Sequence, residues 1–409
     1  MADKQTINAG ICIAGGGPAG MVLGYLLARS GADVVVLEKH SDFLRDFRGD
    51  TVHPSTLQVL QECGLLETFD RIPQQKVQHL TVRIGSDVQS VIDFQGLKPF
   101  NYLAFVPQWD FLDMLADECG QYHNFTLLME HEVTDLIVDN NRVKGVKAAH
   151  PTGVLSVYAN LVVGCDGRDS VVRRCTGLKV IDLGAPMDAL WFKLPRTPDD
   201  LDDTFAILGA GNMMVLLNRN EYWQVAYVVP KGSDSSLRER SIAEFRDSIV
   251  SLAPFLEKDA GSLESWDEVK TLVVKVNRLK QWCKEGVLLI GDAAHAMSPI
   301  GGVGINLAVQ DAVAAANIIA GAMKQGAPID VKLLRQVQGR REMPTKLIQW
   351  MQTTLQKRVV SNTLEKVNRP PEIPAVLRWL LHFRWIRNIP ARIIGYGFRR
   401  EHANVKNFL

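Results

Sequence analysis

The stretch from Ala9 to Glu38 reads AGICIAGGGPAGMVLGYLLARSGADVVVLE. It opens with a short apolar run and closes with a second one rich in valine, which favours strands. Between them, Pro18 stands where a helix can begin, and mostly apolar residues follow it to Ser30. The stretch therefore predicts a strand, a helix over residues 18–30 and a second strand, which form a β-α-β unit with parallel strands.

Gly15, Gly17 and Gly20 follow G-x-G-x-x-G spacing between the first strand and the helix. In a dinucleotide-binding unit, the first glycine makes the turn, the second lets a pyrophosphate approach and the third packs the helix on the strand. The helix start, with Pro18 and Ala19, would present unpaired N–H groups to the phosphates.

The second strand ends in Glu38, which is followed by Lys39. A carboxylate about 20 residues after the glycines can accept from ribose hydroxyls, and we expect both residues to belong to the nucleotide site. The motif predicts a dinucleotide cofactor but does not distinguish NAD from FAD.

The whole chain has 409 residues and a net charge of +1, without a long run of lysine or arginine, so we expect no nucleic-acid partner. Six cysteines are scattered singly, without metal-ligand spacing, which indicates no metal site and a reducing, cytoplasmic setting. The apolar run 11–28 is about as long as a short membrane span. Its three consecutive glycines and Pro18 would break such a helix.

Residues 186–230 differ from the first part of the chain. They read as aromatic-rich strands joined by Gly and Asn turns, which predicts an antiparallel sheet in a second domain. Hairpins are predicted around residues 85–87 and 140–141, and an Ala-rich helix from residue 304.

Two later stretches narrow the choice of cofactor. CDGRDSVVRR (Cys165–Arg174) resembles the motif D-G-x-x-S-x-x-R, and GDAAHAMSPIGGVGIN (Gly291–Asn306) resembles G-D-A-A-H-x-x-x-P-x-x-G-x-G-x-N. With G-x-G-x-x-G before them, these motifs resemble, in the same order, those of the FAD-dependent aromatic hydroxylases. That family comprises the para-hydroxybenzoate hydroxylase-like, single-component flavoprotein monooxygenases. The resemblance implies FAD and NAD(P)H as cofactors.

For the last motif, the resemblance implies contacts along one flavin. Asp292, beside Gly291 on a turn after a buried strand, would accept from a ribityl hydroxyl. Pro299 would wall the flavin where oxygen reacts, and it is the candidate catalytic residue. Asn306 would hydrogen-bond near the flavin edge. The intervening residues would turn backbone N–H groups at a helix start toward the ring; they are Gly301, Gly302, Val303, Gly304 and Ile305.

For the D-G motif, the resemblance implies that Asp166 turns the chain and that Arg173 bridges it to the nucleotide domain, so that both help to position flavin and NAD(P)H. In RDFRGDTVHPST (residues 45–56), Arg48 would lie on FAD, and Arg45 is a second candidate for contact with nicotinamide. Gln108, which opens the helix QWDFLDML, would lie near the flavin. The sequence has no second β-α-β fingerprint for NAD(P)H, as the resemblance implies.

The implied fold is α/β, with a Rossmann-type three-layer FAD-binding domain, a second antiparallel β-sheet substrate domain and a helical C-terminus. We expect the FAD-binding domain to comprise 1–76, 98–181 and 270–345, the substrate domain 77–97 and 182–269, and the C-terminal helical segment 346–409.

The implied reaction is hydroxylation of an electron-rich, phenol-like or heteroaromatic small molecule. NAD(P)H would reduce FAD, O2 would add to the reduced flavin, and a C4a-hydroperoxide would deliver one oxygen atom. A quinone-precursor hydroxylase is an alternative, because PIGGVGINLAVQD is similar to the run P-x-A-G-Q-G-x-N-x-G-x-x-D of those proteins. It departs from that run at Val303 and Ala308. A flavin-binding sensor without turnover is a second alternative, whereas the absence of W-x-W-x-I-P argues against a halogenase.

Several other residues have simpler interpretations. We expect His295 to pack behind its turn, whereas His53 could either touch substrate or support its loop. Ser170 and Ser298 lack the G-x-S-x-G context of a nucleophile. Aromatic residues at strand spacing are expected in the core, although one face could line a cavity; they are Trp191, Phe192, Tyr222, Trp223 and Tyr227.

The segment 375–400 carries six arginines and no acidic residue. This composition fits either a membrane surface or a helix packed on its own domain. Arg378, Arg384 and Arg387 fall on different sides of a helical wheel, which favours packing on the domain.

Overall fold

The computed structural model describes residues 3–44, 51–85, 87–197, 204–365 and 374–408. Arg45 and Arg48 lie outside these ranges, and their contacts stay predictions. The strands are β1 (Asp3–Ala14), β2 (Val34–Leu37), β3 (Thr51–Val52), β4 (Gln75–Val77), β5 (His79–Ile84), β6 (Asp87–Asp93), β7 (Leu103–Phe105), β8 (Phe125–Leu128), β9 (Glu132–Asp139), β10 (Arg142–His150), β11 (Gly153–Gly164), β12 (Val180–Asp182), β13 (Met187–Pro195), β14 (Phe205–Leu208), β15 (Met213–Asn218), β16 (Tyr222–Pro230), β17 (Lys270–Leu272), β18 (Asn277–Leu279), β19 (Cys283–Lys284) and β20 (Val287–Leu289).

The helices are α1 (Pro18–Arg29), α2 (Pro54–Cys63), α3 (Leu66–Asp70), α4 (Gln108–Cys119), α5 (Val171–Thr176), α6 (Asp234–Arg238), α7 (Ile242–Leu252), α8 (Glu257–Ala260), α9 (Gly304–Lys324), α10 (Val331–Leu355), α11 (Asn362–Glu365), α12 (Ala375–Leu380) and α13 (Arg384–Tyr396). A π-helical turn, Gln356–Ser361, continues α10.

A parallel sheet with strand order β20-β11-β1-β2-β8 forms the core of the nucleotide-binding unit. β19 pairs with β20, and the β9–β10 hairpin pairs with β11, both antiparallel. The predicted β-α-β unit is confirmed, with Ile11 paired to Val34 and every residue of β2 buried. α1 packs on β2 and lies close to β8, because a Cβ at Gly24 would come within 2.9 Å of the Phe125 ring.

A seven-stranded sheet forms the second part of the molecule, in the order β17-β13-β16-β15-β14-β5-β6. All its neighbours are antiparallel except β5 and β14. Phe192, Trp223 and Tyr227 are buried in its core against α7, as predicted for these aromatic residues. Trp191 and Tyr222 are half-buried.

Two predicted domain limits, between residues 269 and 270 and between residues 345 and 346, do not coincide with breaks in the structure. β17 pairs with β13 through Ala189 and Leu272, so residues 270–272 belong to the antiparallel sheet and cover its edge. β18 pairs with β12 in a separate sheet, so residues 270–279 contribute one short strand to each of two sheets. α10 runs through residue 345 without a break, because it packs along α9.

The basic segment 375–400 forms α12 and α13, and three of its arginines face acids of β6. Arg378 Nη2 lies 2.8 Å from Asp87 Oδ2, and Arg384 Nε lies 3.2 Å from Asp93 Oδ2. Arg387 Nη2 lies 3.7 Å from the same Asp93 oxygen. Asp93 is buried, so these cations offset the cost of its charge. The pairs support packing of this segment on its own domain.

Within the ranges that the structure describes, one helix, Ile300–Lys324, is long and apolar enough to cross a membrane by composition. Its most apolar 18-residue window is 78% buried inside the fold, where α1 and α10 pack against it. The apolar run 11–28 forms the end of β1 and most of α1.

A buried ionic network joins α9, α10 and the C-terminal residues behind the cofactor motifs. Asp311 Oδ1 accepts from Arg341 Nε at 2.9 Å, and Oδ2 faces His295 Nε2 at 2.5 Å and accepts from Gly291 N at 3.1 Å. Arg341 also lies 3.4 Å from the buried Glu401. Burial alone would raise the pKa of Asp311, but His295 and Arg341 outweigh it and hold that pKa below its usual range. His295 is buried behind its turn, as predicted.

Removing the central carboxylate by Asp311→Asn should lower the free energy of unfolding by about 3–5 kcal/mol, because Arg341 would stay buried beside a neutral amide. Urea unfolding followed by circular dichroism measures this loss. As a control, Asp87→Asn breaks the more exposed pair with Arg378 and should change the free energy by less than about 1 kcal/mol. Similar small losses in both variants would contradict the role of the buried network.

Candidate functional site

All three cofactor motifs follow neighbouring parallel strands. Gly15 comes directly after β1, Asp166 two residues after β11, and Gly291 two residues after β20. Because β1, β11 and β20 are parallel neighbours, their carboxyl ends meet at one edge of the sheet. Cys165 N donates to Ala14 O at 2.7 Å, which ties the first two motifs together at that edge. Ligands bind at this edge in open α/β sheets.

The glycines of the first motif have three different surroundings. Gly15 has a φ of 103°, and a Cβ there would lie 2.5 Å from Cys165 O. A Cβ at Gly20 would lie 1.9 Å from Gly15 O, so the helix start packs directly on the turn. Among the described residues, no atom lies within 4 Å of a Cβ built on Gly17. The middle glycine therefore leaves space for a phosphate, as the spacing predicts.

The start of α1 is available to an anion. Pro18 occupies the first turn, Ala19 is buried, and the sequence has no acidic residue there. The residue before the helix is Gly17, so no side chain at that position caps the helix. The N–H groups and the positive end of the helix dipole are therefore left for a ligand.

Glu38 braces the glycine turn. Its buried carboxylate accepts from Gly16 N at 2.9 Å and faces His40 Nδ1 at 2.5 Å. Its Oε1 also accepts from His40 N at 3.2 Å. Lys39 is exposed beside it, and the predicted cofactor contacts of both residues stay predictions.

Asp166 turns the chain after β11 into α5. Its Oδ1 accepts from Ser170 Oγ at 2.5 Å, and its Oδ2 accepts from Val172 N at 3.1 Å. Ser170 Oγ in turn accepts from Arg173 N at 2.9 Å, so this serine is a helix cap. Burial raises the pKa of Asp166 despite these bonds.

Arg173 joins the second motif to the third. Its Nη1 donates to Ala293 O at 3.2 Å, and its Nη2 donates to Arg168 O. Arg168 reaches the third motif as well, because its Nη2 lies 3.4 Å from Asp292 Oδ2. The sequence interpretation missed Arg168, because this residue occupies a variable position of the D-G motif. Two arginines thus lie beside the turn that carries Asp292.

The turn that carries Asp292 sits between two helices. Gly291 has a φ of 59°, and a Cβ there would lie 3.2 Å from the Ala19 Cβ and 3.3 Å from the Ala308 Cβ. The side chain of Asp292 is 31% exposed, so it faces the open edge of the sheet. Its carboxylate is therefore accessible to a hydroxyl donor.

A second helix start lies at the other end of the same motif. Gly301 and Gly302 have φ values of 78° and 62°, a left-handed conformation that favours glycine, and Gly302 N donates to Pro299 O at 3.0 Å. α9 then begins at Gly304 without a side-chain cap from the described residues and without an acidic residue in its first turn. Pro299 is half-buried, whereas Val303 and Ile305 are buried.

Two residues of α2 hold the side chain of Asn306, which lies in the first turn of α9. Its Oδ1 accepts from Ser55 Oγ and, at 3.0 Å, from Thr56 Oγ1. All three side chains are buried, so the orientation of the Asn306 amide is set, and its NH2 group is the end that can donate further. The serine and threonine were not predicted as site residues, because their hydroxyls are brought to Asn306 only by the packing of α2.

Gln108 is the first residue of α4 and is half-buried. It follows β7, which pairs with β3 next to His53. Its proximity to the flavin stays a prediction.

His53 supports the loop that contains Gly301 and Gly302. Its side chain is fully buried, with Nε2 3.0 Å from Gly302 O and Nδ1 2.9 Å from Ile394 O. Burial lowers the pKa of His53 to about 4, although the two carbonyls act in the opposite direction. The neutral ring has one N–H and donates to one of these carbonyls at a time. Of the two roles considered for His53, the structure favours support of the loop.

These residues fit the elongated shape and the charges of FAD. Two helix starts, at Gly17 and Gly304, flank the edge where Asp292 is accessible, and α1 packs against α9. The first can receive a pyrophosphate and the second the electron-rich edge of a flavin ring. Asp292 lies on the turn between these helices, where a ribityl chain would pass.

The low pKa of His53 predicts a pH-dependent stability. As the pH falls from about 6.5 to about 4, the unfolded chain binds a proton at this histidine that the folded protein does not bind. The free energy of unfolding should therefore fall by about 3 kcal/mol across this window from this group alone. Unfolding at several pH values should show a correspondingly smaller loss in His53→Gln. An unchanged pH dependence in that variant would contradict the burial of a neutral ring.

The family comparison agrees with this geometry. A family model described as an FAD binding domain matches residues 8–351. The chain is 35% identical to 6-methylpretetramide 4-monooxygenase of Streptomyces rimosus, over 75% of this chain and 73% of that protein. It is 26% identical to "Probable NADH-specific resorcinol 4-hydroxylase" of Rhodococcus jostii (strain RHA1), over 74% of this chain and 57% of that protein.

A solved structure has the same fold. The p-nitrophenol 4-monooxygenase PnpA from Pseudomonas putida DLL-E4 is similar with a TM-score of 0.78 at 20% identity, over 97% of this chain and all of that chain. The motifs, the family model and the relative at 35% identity lead to the same conclusion. The chain belongs to the FAD-dependent aromatic hydroxylase family and is a flavoprotein monooxygenase.

Proposed function

We propose that this protein hydroxylates an electron-rich, phenol-like aromatic compound with NAD(P)H and O2. The balanced reaction converts R–H, NAD(P)H, H⁺ and O2 into R–OH, NAD(P)⁺ and H2O. FAD, when bound, would supply the redox chemistry between NAD(P)H and O2. The polypeptide binds the reactants, orients them and excludes water.

The observation that carries the proposal is the contact between the loop of residues 296–302, called the Pro299 loop, and the antiparallel sheet. Ile300, the residue after Pro299, packs in an apolar cluster with side chains from the sheet and from the segment after α10. A flat apolar ring held beside this cluster would be shielded from water and would lie near Pro299. The other members of the cluster are Met187, Met213, Val228, Val360 and Leu364.

The names of the relatives support the substrate class. One relative is named for 6-methylpretetramide and another for resorcinol, a benzene ring with two hydroxyl groups. The name of the second relative also specifies NADH. We extend a phenol-like substrate and a nicotinamide reductant to this chain on that basis.

For the cofactor, we propose a distinct task for each part of the site. The start of α1 at Gly17 binds the pyrophosphate, and Asp292 accepts from the ribityl chain. The backbone N–H groups of Gly301, Val303 and Gly304 stabilise negative charge at the flavin edge, whereas that of Gly302 donates to Pro299 O. Arg168 and Arg173 hold the turn of Asp292 in place.

A panel assay tests the reaction. FAD-loaded protein is mixed with NADH or NADPH and with phenols, heteroaromatics and quinone precursors, and consumption of the reductant is followed by absorbance. We expect strong stimulation by a phenol and, under ¹⁸O2, a product that carries one labelled oxygen atom. Flavin-loaded protein that consumes no reductant with any compound would support a flavin-binding sensor instead. Stimulation only by quinone precursors would move the assignment to that alternative.

Asp292→Ala tests the cofactor contact. The loss of a hydrogen bond to a charged group should weaken FAD binding by about 10- to 100-fold, so the folded variant should purify nearly colourless. Absorbance near the flavin band and an FAD titration of the apo-protein measure this effect. Asp169→Ala is the matched control, because this exposed carboxylate lies in the D-G turn but pairs with Lys275 at 2.5 Å. Stoichiometric FAD in Asp292→Ala would contradict the assigned contact.

A further inference from the structure

Three buried glutamines share one face of α10 and its π-helical continuation; two are in α10 and the third is the first residue of the π-helical turn. Gln349, Gln352 and Gln356 follow the spacing i, i+3, i+7, and each is at most 1% exposed. A buried amide is costly unless its donors and its acceptor are paired. The partners of these amides therefore indicate why the chain buries them.

Gln352 holds the backbone on both sides of Pro299. Its Nε2 donates to Ser298 O at 2.9 Å and to Ile300 O at 2.8 Å, and its Oε1 accepts from Ser298 N at 3.2 Å. Pro299 has no N–H group of its own to anchor it. One side chain thus bonds backbone groups of Ser298 and Ile300, the residues on either side of Pro299.

The neighbouring glutamines extend this support. Gln356 Nε2 donates to Ser298 Oγ at 2.9 Å. Gln349 Nε2 donates to Ala296 O at 3.2 Å and to Asn277 O at 2.8 Å. Together the three amides hold the backbone of residues 296–300 against α10.

The same segment also contacts the antiparallel sheet. The π-helical turn begins at Gln356, and its buried Val360 packs with Met187, Val228 and Ile300. π-helical turns are rare and occur often at functional sites. The Pro299 loop and the sheet proposed to cover the substrate are therefore connected through one segment.

We infer that Gln352 is a positioning residue that sets Pro299 relative to the antiparallel sheet and thereby directs oxygen to the substrate. This inference rests on the proposed function. A displaced Pro299 loop would let NAD(P)H, H⁺ and O2 yield NAD(P)⁺ and H2O2, with no change in the substrate. Gln352 would therefore determine how much product forms per reductant consumed.

Two substitutions separate hydrogen bonding from packing. Gln352→Glu keeps the length and the acceptor for Ser298 N, but it places a second oxygen against two carbonyl oxygens. Gln352→Met keeps the length and removes all three bonds. Gln338→Met is the matched control on the same helix, because Gln338 makes a similar pair of bonds with Lys280 O and Trp282 N, each at 3.0 Å.

The first measurement is hydrogen–deuterium exchange of the apo-protein, which requires no turnover. Exchange at Ser298 should become about tenfold faster or more in Gln352→Met, which removes the acceptor of its N–H. Exchange in the peptides spanning 296–302 should become faster in both Gln352 variants and stay unchanged in Gln338→Met. The second measurement compares product and H2O2 per NAD(P)H in the FAD-loaded protein. Product per NAD(P)H should fall about threefold or more in the Gln352 variants, with matching H2O2, while the substrate KM changes little.

Several results would overturn the inference. Normal exchange at Ser298 in Gln352→Met would do so, and so would faster exchange with unchanged product yield. An equal loss of product in Gln338→Met would show a general effect of damage to α10 instead. If the Gln352 variants do not fold, Ser298→Ala removes the bond from Gln356 and should lower the product yield in the same direction. A wild-type protein that consumes no NAD(P)H would overturn the proposed function, whereas the exchange result judges the position of the loop independently.

Discussion

Parallel pairing of β1, β11 and β20 is the constraint on which the site depends. Each strand ends in a turn, and the pairing brings the three turns to one edge although they lie far apart in the sequence. The close contact of Gly15 with Cys165 O leaves no room for a side chain between the first two turns. Asp292 can therefore lie between two helix starts only while this register is kept.

Backbone groups carry much of the proposed cofactor recognition. Two helices start at the site without side-chain caps from the described residues, and Gly301 and Gly302 adopt positive φ values just before the second start. Such groups are held in place by packing and need little rearrangement when a ligand binds. The buried pair of Asp311 and Arg341 fixes the base of this arrangement, since Asp311 also accepts from Gly291 N.

Support for the Pro299 loop comes from outside the cofactor motifs. α2 contributes Ser55 and Thr56 to Asn306, whereas α10 contributes Gln352 to the backbone around Pro299. α10 continues into the π-helical turn that contacts the antiparallel sheet. In the proposed arrangement, the reactive side of the cofactor and the substrate side would therefore share one structural support.

The sequence by itself determined the β-α-β unit and a dinucleotide cofactor, because these features depend on local spacing and on residue types with special backbone properties. The turn at Asp166 and the choice of FAD followed from the resemblance of three ordered motifs to those of the FAD-dependent aromatic hydroxylases. The sequence also predicted that His295 packs behind its turn, where the structure places it. Only the tertiary structure decided that Arg168 faces Asp292, that His53 contacts Gly302 and that Gln352 holds Pro299. These contacts join residues about 50 to 250 positions apart in the sequence. No local pattern shows which distant partner a polar side chain will meet. The proposed substrate side depends in the same way on packing between the sheet and the segment after α10. The sequence shows that these side chains are apolar but not which of them will contact one another.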